Sequence, residues 1–306
     1  MRILVTGSTG FIGSHLTPRL RDHEVHLLDR YVTGRLPPDN DNFVHVLDLT
    51  DYTEVRSLIA KLKPEVVIHL AAISPVSYSY RHPLEVMDCN TMATVNLAEA
   101  CVALPDFQHM ISAGTTEEYG MTPDRPATEE SRCVPNSPYS ASKLAATAYL
   151  GYLHMAKNFP VTIIRSTNTY GREKDGHFFV EKTVRQMIAG GDVSLGDPTP
   201  VRDFMYVDDH VDAYLRAMEN RDASVGEIFN FSTGEYATVR QCAERIAKVL
   251  DYRGNISWNS IAERPLDIQD HRIDSSKAKR VLGWEAQVSF EEGITKTARL
   301  LEAVIA

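Results

Sequence analysis

The sequence predicts an α/β fold, a doubly wound parallel sheet followed by a smaller C-terminal lobe that covers a substrate. Three observations predict it. Short apolar segments alternate with helical segments from residue 2 to about residue 170, which is the rhythm of strand–helix–strand units. Val66 to Leu70 is an almost unbroken apolar run, as a parallel strand buried on both faces should be. Three glycines stand between the first strand and the first helix.

In chain order, residues 2–6 read as a short buried strand and Phe11 to Arg21 as a helix. Glu24 to Leu28 is a second strand, closing at Asp29, and Phe43 to Leu47 a third. Asp51 to Lys61 is helical, Val66 to Leu70 a strand, and Pro83 to Val102 one long helix. Gln108 to Ser112 is a strand, Tyr139 to Lys157 a helix, and Val161 to Arg165 a strand. Beyond residue 170 the rhythm changes. Gly and Pro are frequent from Gly171 to Pro200, and helices fall near Phe178–Ala189, Val207–Glu219, Val239–Leu250 and Phe290–Glu302. Residues 1–170 are therefore expected to form the cofactor-binding domain with the catalytic pair. Residues 171–306 form a lobe that mainly holds substrate and returns elements to the sheet.

Composition excludes several classes of function. Charged residues are 24% of the chain and apolar residues 43%, an ordinary globular balance. The 32 basic and 41 acidic residues leave a net charge of −9, which repels phosphate backbones and argues against nucleic acid as a partner. No apolar run approaches the ~18 residues of a membrane span, and the first strand meets Gly7 too soon to supply a signal-peptide core. The four cysteines are widely spaced, without a CxxC pair, as expected of reduced thiols in a cytoplasmic protein. His23-Glu24-Val25-His26 lies on a strand, where i and i+3 face opposite ways, and Asp208-Asp209-His210 reads as charge at a helix start. No metal site is expected.

Thr6-Gly7-Ser8-Thr9-Gly10-Phe11-Ile12-Gly13 is the first motif that carries chemistry. Gly7, Gly10 and Gly13 permit a tight turn, a close approach of backbone to a pyrophosphate, and packing of helix on strand. Phe11 and Ile12 open the helix whose N–H groups face the anion. Asp29 ends the second strand, where a carboxylate accepts both ribose hydroxyls of NAD and repels a 2′-phosphate, a preference that Arg30 would soften. Asp48, after the third strand, either meets the adenine or caps the next helix. Tyr139 and Lys143 stand four apart on a helix and share a face. An ammonium beside a phenol favours the phenolate, so the pair suits removal of a hydroxyl proton while a hydride moves to nicotinamide.

Thr6–Gly13, His69-Leu70-Ala71-Ala72, Tyr139 with Lys143, Arg202-Asp203-Phe204…Val207-Asp208-Asp209 and Leu282-Gly283-Trp284 together resemble the extended short-chain dehydrogenases/reductases, a Rossmann-fold group. Within it the chain is most similar to the NAD-dependent nucleotide-sugar epimerases and dehydratases. The resemblance implies that Tyr139 is the general base, Lys143 its electrostatic partner and Thr115 the hydroxyl that bonds the sugar 4-OH. It places Leu49, Leu70, Ala71 and Ala72 beside the cofactor. Asn168 resembles a substrate-phosphate contact, Arg202 and Arg264 match diphosphate-binding arginines, and Ser74 matches a serine of GDP-mannose 4,6-dehydratases. Thr115-Thr116-Glu117 is similar to the Thr-Ser-Glu of those dehydratases. Oxidation at C4 acidifies the C5 proton, and Glu117 would remove it as water leaves C6. Thr116 stands where other dehydratases carry an acidic Asp, so it would have to relay a proton. The expected activity is 4,6-dehydration of a nucleotide-diphosphate sugar. The alternatives are a 4-epimerase of the UDP-glucose type, then a 4-keto-sugar reductase or a decarboxylase; an NAD-sensing module without turnover would not require Tyr139, Lys143 and Thr115. A homodimer through the helices at 83–102 and 139–157 would match the family.

Overall fold

The computed structural model describes residues 1–31, 43–173, 178–260 and 265–305. Six strands follow the predicted order: β1 (Arg2–Thr6), β2 (Glu24–Asp29), β3 (Phe43–Val46), β4 (Val66–His69), β5 (His109–Ala113) and β6 (Val161–Ser166). Three short pairs lie outside the main sheet: β7 (Asn168–Tyr170) with β10 (Phe204–Tyr206), β8 (Val193–Ser194) with β13 (Ile256–Ser257), and β9 (Val201–Arg202) with β12 (Ala237–Thr238). The remaining strand, β11 (Ile228–Phe231), comes from the second half of the chain and adds to β6. The main sheet is thus seven-stranded, in the order β11-β6-β5-β4-β1-β2-β3, and every pairing is parallel.

Alternate residues of each strand enter different cores. Ile3, Val5, Val66, Ile68, Ile111 and Ile164 face one side, with Leu16 of α1 (Phe11–Leu16) and Val211 and Tyr214 of α8 (Val207–Glu219). Leu4, Val67, Met110 and Ile163 face the other, under α2 (Tyr52–Leu62), α5 (Ala93–Val102) and α6 (Pro138–Lys157). Burial on both faces explains why these strands read as apolar runs rather than as alternating ones. The chain winds from β1 out to β3, then returns to β4 beside β1. The crevice at the carboxyl ends of β1 and β4 is the switch point where such sheets bind ligands.

Two helices differ from expectation. The first stops at Leu16 and continues as a 3₁₀ turn, Thr17–Leu20, because Pro18 has no N–H to donate back along an α-helix. The long helix is α4 (Pro83–Met87), a π-turn at Asp88–Met92, then α5. α3 (Val76–Ser79) precedes it; α7 (Phe179–Ala189), α9 (Arg221–Ser224), α10 (Val239–Val249), α11 (Ser276–Leu282) and α12 (Phe290–Ile305) complete the chain. Asp209 does more than charge a helix start: its carboxylate accepts the backbone N–H groups of Gln287 (3.0 Å) and Val288 (3.1 Å) and ties the C-terminal segment to α8. Among the described residues no helix is long and apolar enough to cross a membrane.

Candidate active site

The glycine turn is shaped by contacts that only glycine permits. Gly7 has φ +70°, and a Cβ there would stand 2.7 Å from the Ala71 amide nitrogen. A Cβ on Gly13 would lie 2.3 Å from the Gly7 carbonyl oxygen. The turn is therefore closed by backbone against backbone, with no side chain between it and the crevice. Asp29 anchors it. Its carboxylate accepts the Ser8 hydroxyl and, at 3.0 Å, the Thr9 N–H. Burial raises its pKa, while those bonds oppose the rise. Asp48 caps no helix: it accepts the N–H (2.9 Å) and hydroxyl (2.8 Å) of Thr50, and Asp51 caps α2 instead. Burial pushes Asp48 up, but the Thr50 bonds and the charge of Arg30, 3.7 Å away, hold it below its ordinary value.

One cavity of about 1710 Å³ runs from this turn to the second half of the chain. It brings together Gly7, Gly10, Phe11, Ile12, Gly13, Asp29, Asp48, Leu49, Leu70, Ala71 and Ala72 at one end. Further along lie Ser74, Thr115, Thr116, Glu117, Tyr139, Lys143, Asn168 and Arg202. Arg264 lies outside the described residues. The cavity fits a dinucleotide on this chain's own features: a bare backbone cradle, a carboxylate at the end of β2, and room for a second ligand beyond.

Ser137 caps α6 by accepting the Ser140 N–H, which starts the helix at Pro138 and sets Tyr139 and Lys143 against the end of β5. Lys143 Nζ donates to the Ala113 carbonyl at 2.9 Å. Burial lowers its pKa to about 8, although Glu118 pulls it up. Tyr139 departs from expectation. Burial raises its pKa well above the ordinary phenol value. The Thr115 hydroxyl hydrogen-bonds it and lowers the pKa, the charges of Glu117 and Glu118 raise it, and the cation that helps to lower it is Arg172. The Arg172 guanidinium packs 4.1 Å over the Phe11 ring and 3.8 Å over Phe178.

The two adjacent glutamates have different fates. Glu118 is buried: Oε2 accepts both Arg165 Nε (3.0 Å) and Nη2 (2.8 Å), and Oε1 takes the Thr115 N–H (3.1 Å). It fixes the Thr115 loop and is spent on structure. Glu117 lines the cavity, its own N–H held by Thr115 Oγ1 at 3.2 Å. Thr116 donates its hydroxyl to the Ser166 carbonyl at 3.1 Å. Arg202 is drawn to Asp267, 3.2 Å away, and to the Ile268 carbonyl at 2.6 Å. Asn168 reaches the Asp203 carbonyl at 3.5 Å.

Sequence reasoning passed over Asn90, Arg172 and His271. Asn90 lies in the π-turn and clamps Ile73 through both its N–H (2.7 Å) and its carbonyl (3.1 Å), which sets the wall carrying Ser74. Arg172 follows Tyr170-Gly171, and its charge sign was the available clue. His271 lay in a segment without a local pattern.

Residues 4–297 match the family model described as GDP-mannose 4,6 dehydratase. The chain is 35% identical to a UDP-glucose 4-epimerase of Mycolicibacterium smegmatis, with 97% of each chain covered. It is similar to a UDP-glucose 4-epimerase of Thermotoga maritima solved with UDP-glucose (TM-score 0.93, 30% identity, 100% of each chain). It is also similar to a UDP-glucose 4-epimerase of Thermus thermophilus solved with NAD (TM-score 0.89, 30% identity, 99% of each chain).

Proposed function

This chain belongs to the nucleotide-sugar epimerases and dehydratases of the extended short-chain dehydrogenase/reductase group, and from that premise we propose an NAD-dependent enzyme that oxidises a nucleoside-diphosphate hexose at C4 and carries it on to 4,6-dehydration. When bound, NAD would supply the hydride acceptor for C4 oxidation and the hydride for the later reduction. The glycine turn would hold its pyrophosphate and Asp29 its ribose. Arg202 and Asn168 receive the diphosphate of the sugar nucleotide, with Arg264 as a further candidate. Tyr139, hydrogen-bonded to Thr115, removes the 4-hydroxyl proton; Arg172 favours the phenolate, and Lys143, one helical turn on, adds its positive charge to the same cavity wall. On binding the sugar, Arg202 would exchange Asp267 for phosphate, which its fork also matches.

Glu117 carries the choice of reaction. Its neighbour Glu118 is consumed by Arg165, so Glu117 is the carboxylate that remains on the cavity wall next to Thr115. In the proposed sequence Glu117 takes the C5 proton, the electrons of that bond form the C5–C6 double bond, and Glu117 passes the proton to the departing C6 hydroxyl, which leaves as water. C6 then gains the hydride and C5 a proton from solvent. A 4-epimerase needs no such base. That second reading is favoured by Thr116, whose hydroxyl proton is engaged by Ser166 rather than offered to a leaving group, and by the three epimerases to which the chain is similar.

Mass spectrometry of reactions with a panel of nucleotide sugars in deuterated water separates the two. Loss of one water with deuterium gained at C5 is the result expected for dehydration, abolished in Glu117→Gln. An isobaric product inverted at C4 without deuterium would establish the epimerase. We further propose a homodimer through the helical stretch 83–102 and α6, where Leu84, Met92, Tyr152 and Met155 leave large apolar side chains exposed.

A further inference from the structure

His271 is a buried histidine whose ring nitrogens find no hydrogen-bond partner in the protein alone. It is 4% exposed, it lines the cavity with Thr116, Glu117 and Arg202, and neither ring nitrogen has a hydrogen-bond partner. Buried polar groups are nearly always satisfied, so an orphaned imidazole on a cavity wall points to a partner met during the reaction. Its backbone is pinned on two sides. The His271 N–H donates to the Val201 carbonyl (3.2 Å), while the flanking residues bond Ala127 through Ala127 N to Arg272 O (2.9 Å) and Asp274 N to Ala127 O (2.8 Å). The segment is thereby fixed, with His271 on the wall of the cavity that Thr116 and Glu117 also line. The Thr116 carbonyl lies close enough to favour a proton on the ring, without reaching hydrogen-bond geometry.

Three charged groups act on the ring: Glu117, Arg202 and Arg125. Both arginines have carboxylates of their own, Arg202 with Asp267 at 3.2 Å and Arg125 with Asp270 at 4.0 Å. Glu117 is the charge of the three that no ion pair within the described residues satisfies. Burial holds the imidazole below its ordinary pKa, so it is neutral near pH 7 and offers one N–H donor and one acceptor.

We propose that His271 is the positioning residue of Glu117: its ring N–H donates to the Glu117 carboxylate and fixes it on the C5–C6 side of the bound sugar. The inference rests on Glu117 as the C5 base. It explains how a carboxylate on a short, three-residue turn (Thr116–Glu118) is given one orientation. It adds no proton to the reaction and leaves C4 oxidation, which belongs to Tyr139 and Lys143, untouched.

The experiment follows two signals in the same holoenzyme with UDP-glucose, dTDP-glucose or GDP-mannose, whichever the wild type oxidises. These are reduction of the nicotinamide, which reports C4 oxidation, and deuterium uptake at C5. His271→Phe should keep nicotinamide reduction near wild type, which also shows that the variant folds and binds both ligands. C5 uptake should fall by roughly 100-fold, the cost of a misplaced reacting group. His271→Gln or His271→Asn, which retain a donor, should regain about tenfold, the weight of one hydrogen bond. Wild-type uptake in His271→Phe overturns the proposal. So does equal loss of both signals, or an absence of recovery in both amide variants. Normal uptake in Glu117→Gln would instead remove the C5 base itself, and the positioning role with it.

Discussion

At the scale of single residues, Tyr139 was legible because a tyrosine and a lysine four apart on a helix share a face whatever surrounds them. Their electrostatics were not legible, since burial depends on the whole fold. Spacing suggested an ammonium lowering a phenol pKa. The structure adds desolvation that works against both charged forms, and a second cation, Arg172, placed by chain crossings rather than by spacing. Tyr139→Phe should cut turnover by ~10²–10⁴-fold while NAD stays bound, as read by steady-state rates and cofactor titration. Lys143 makes a stability prediction as well. Its pKa falls from 10.5 to about 8 in the folded chain. The unfolded chain therefore binds the extra proton between those values, and stability rises with pH across that window. Below about 8 the full cost of a buried ammonium is present. Lys143→Met should accordingly melt at a higher temperature than wild type near neutral pH, with the gap closing as pH rises through the window. Melting curves of the cofactor-free proteins across that range test it.

Elements were read well where a pattern is local and poorly where it depends on what lies behind. The α8 boundaries match expectation because a strong apolar stripe and an acidic first turn mark them. The stretch at 83–102 is helical throughout, as read, but composition and spacing did not show that its hydrogen bonds pass through a π-turn at Asp88–Met92. Asn90, within that turn, bonds both backbone groups of Ile73. The segment before β11 gave no strand–helix rhythm, because its partner β6 is far back in sequence. The glycine turn was legible as a motif, and its contacts now give a size to the constraint. Gly13→Ala would press a methyl group into the Gly7 carbonyl and the Ser8 backbone, so the turn must open. A loss of about 1–3 kcal/mol in unfolding free energy is expected. NAD affinity should fall in the same variant, and chemical denaturation with cofactor titration measures both.

On the scale of the whole molecule, the strand–helix alternation and apolar runs foretold a doubly wound sheet, and the cavity is where such a sheet puts one. The second half was read coarsely because its anchors are single polar residues with partners far away in sequence. Asp209 holds Gln287 and Val288; Asp203 holds the Ser232–Gly234 turn. Neither pattern has a period. If α4 and α6 pair with a second copy, Leu84→Glu with Met155→Glu should yield a monomer by analytical ultracentrifugation, since these side chains are 79% and 80% exposed in the single chain. A monomeric wild type would overturn the proposed interface. The placing of β11 beside β6 has a further consequence, for synthesis. A growing chain leaves the ribosome with β6 complete but its outer hydrogen-bonding edge bare until residues 228–231 emerge, more than sixty residues after Ser166. During that interval the nascent chain carries an open sheet margin, the kind of surface that captures other strands. A chain halted after residue 170 would keep that margin permanently and should come out of cells as aggregate, or in the keeping of a chaperone.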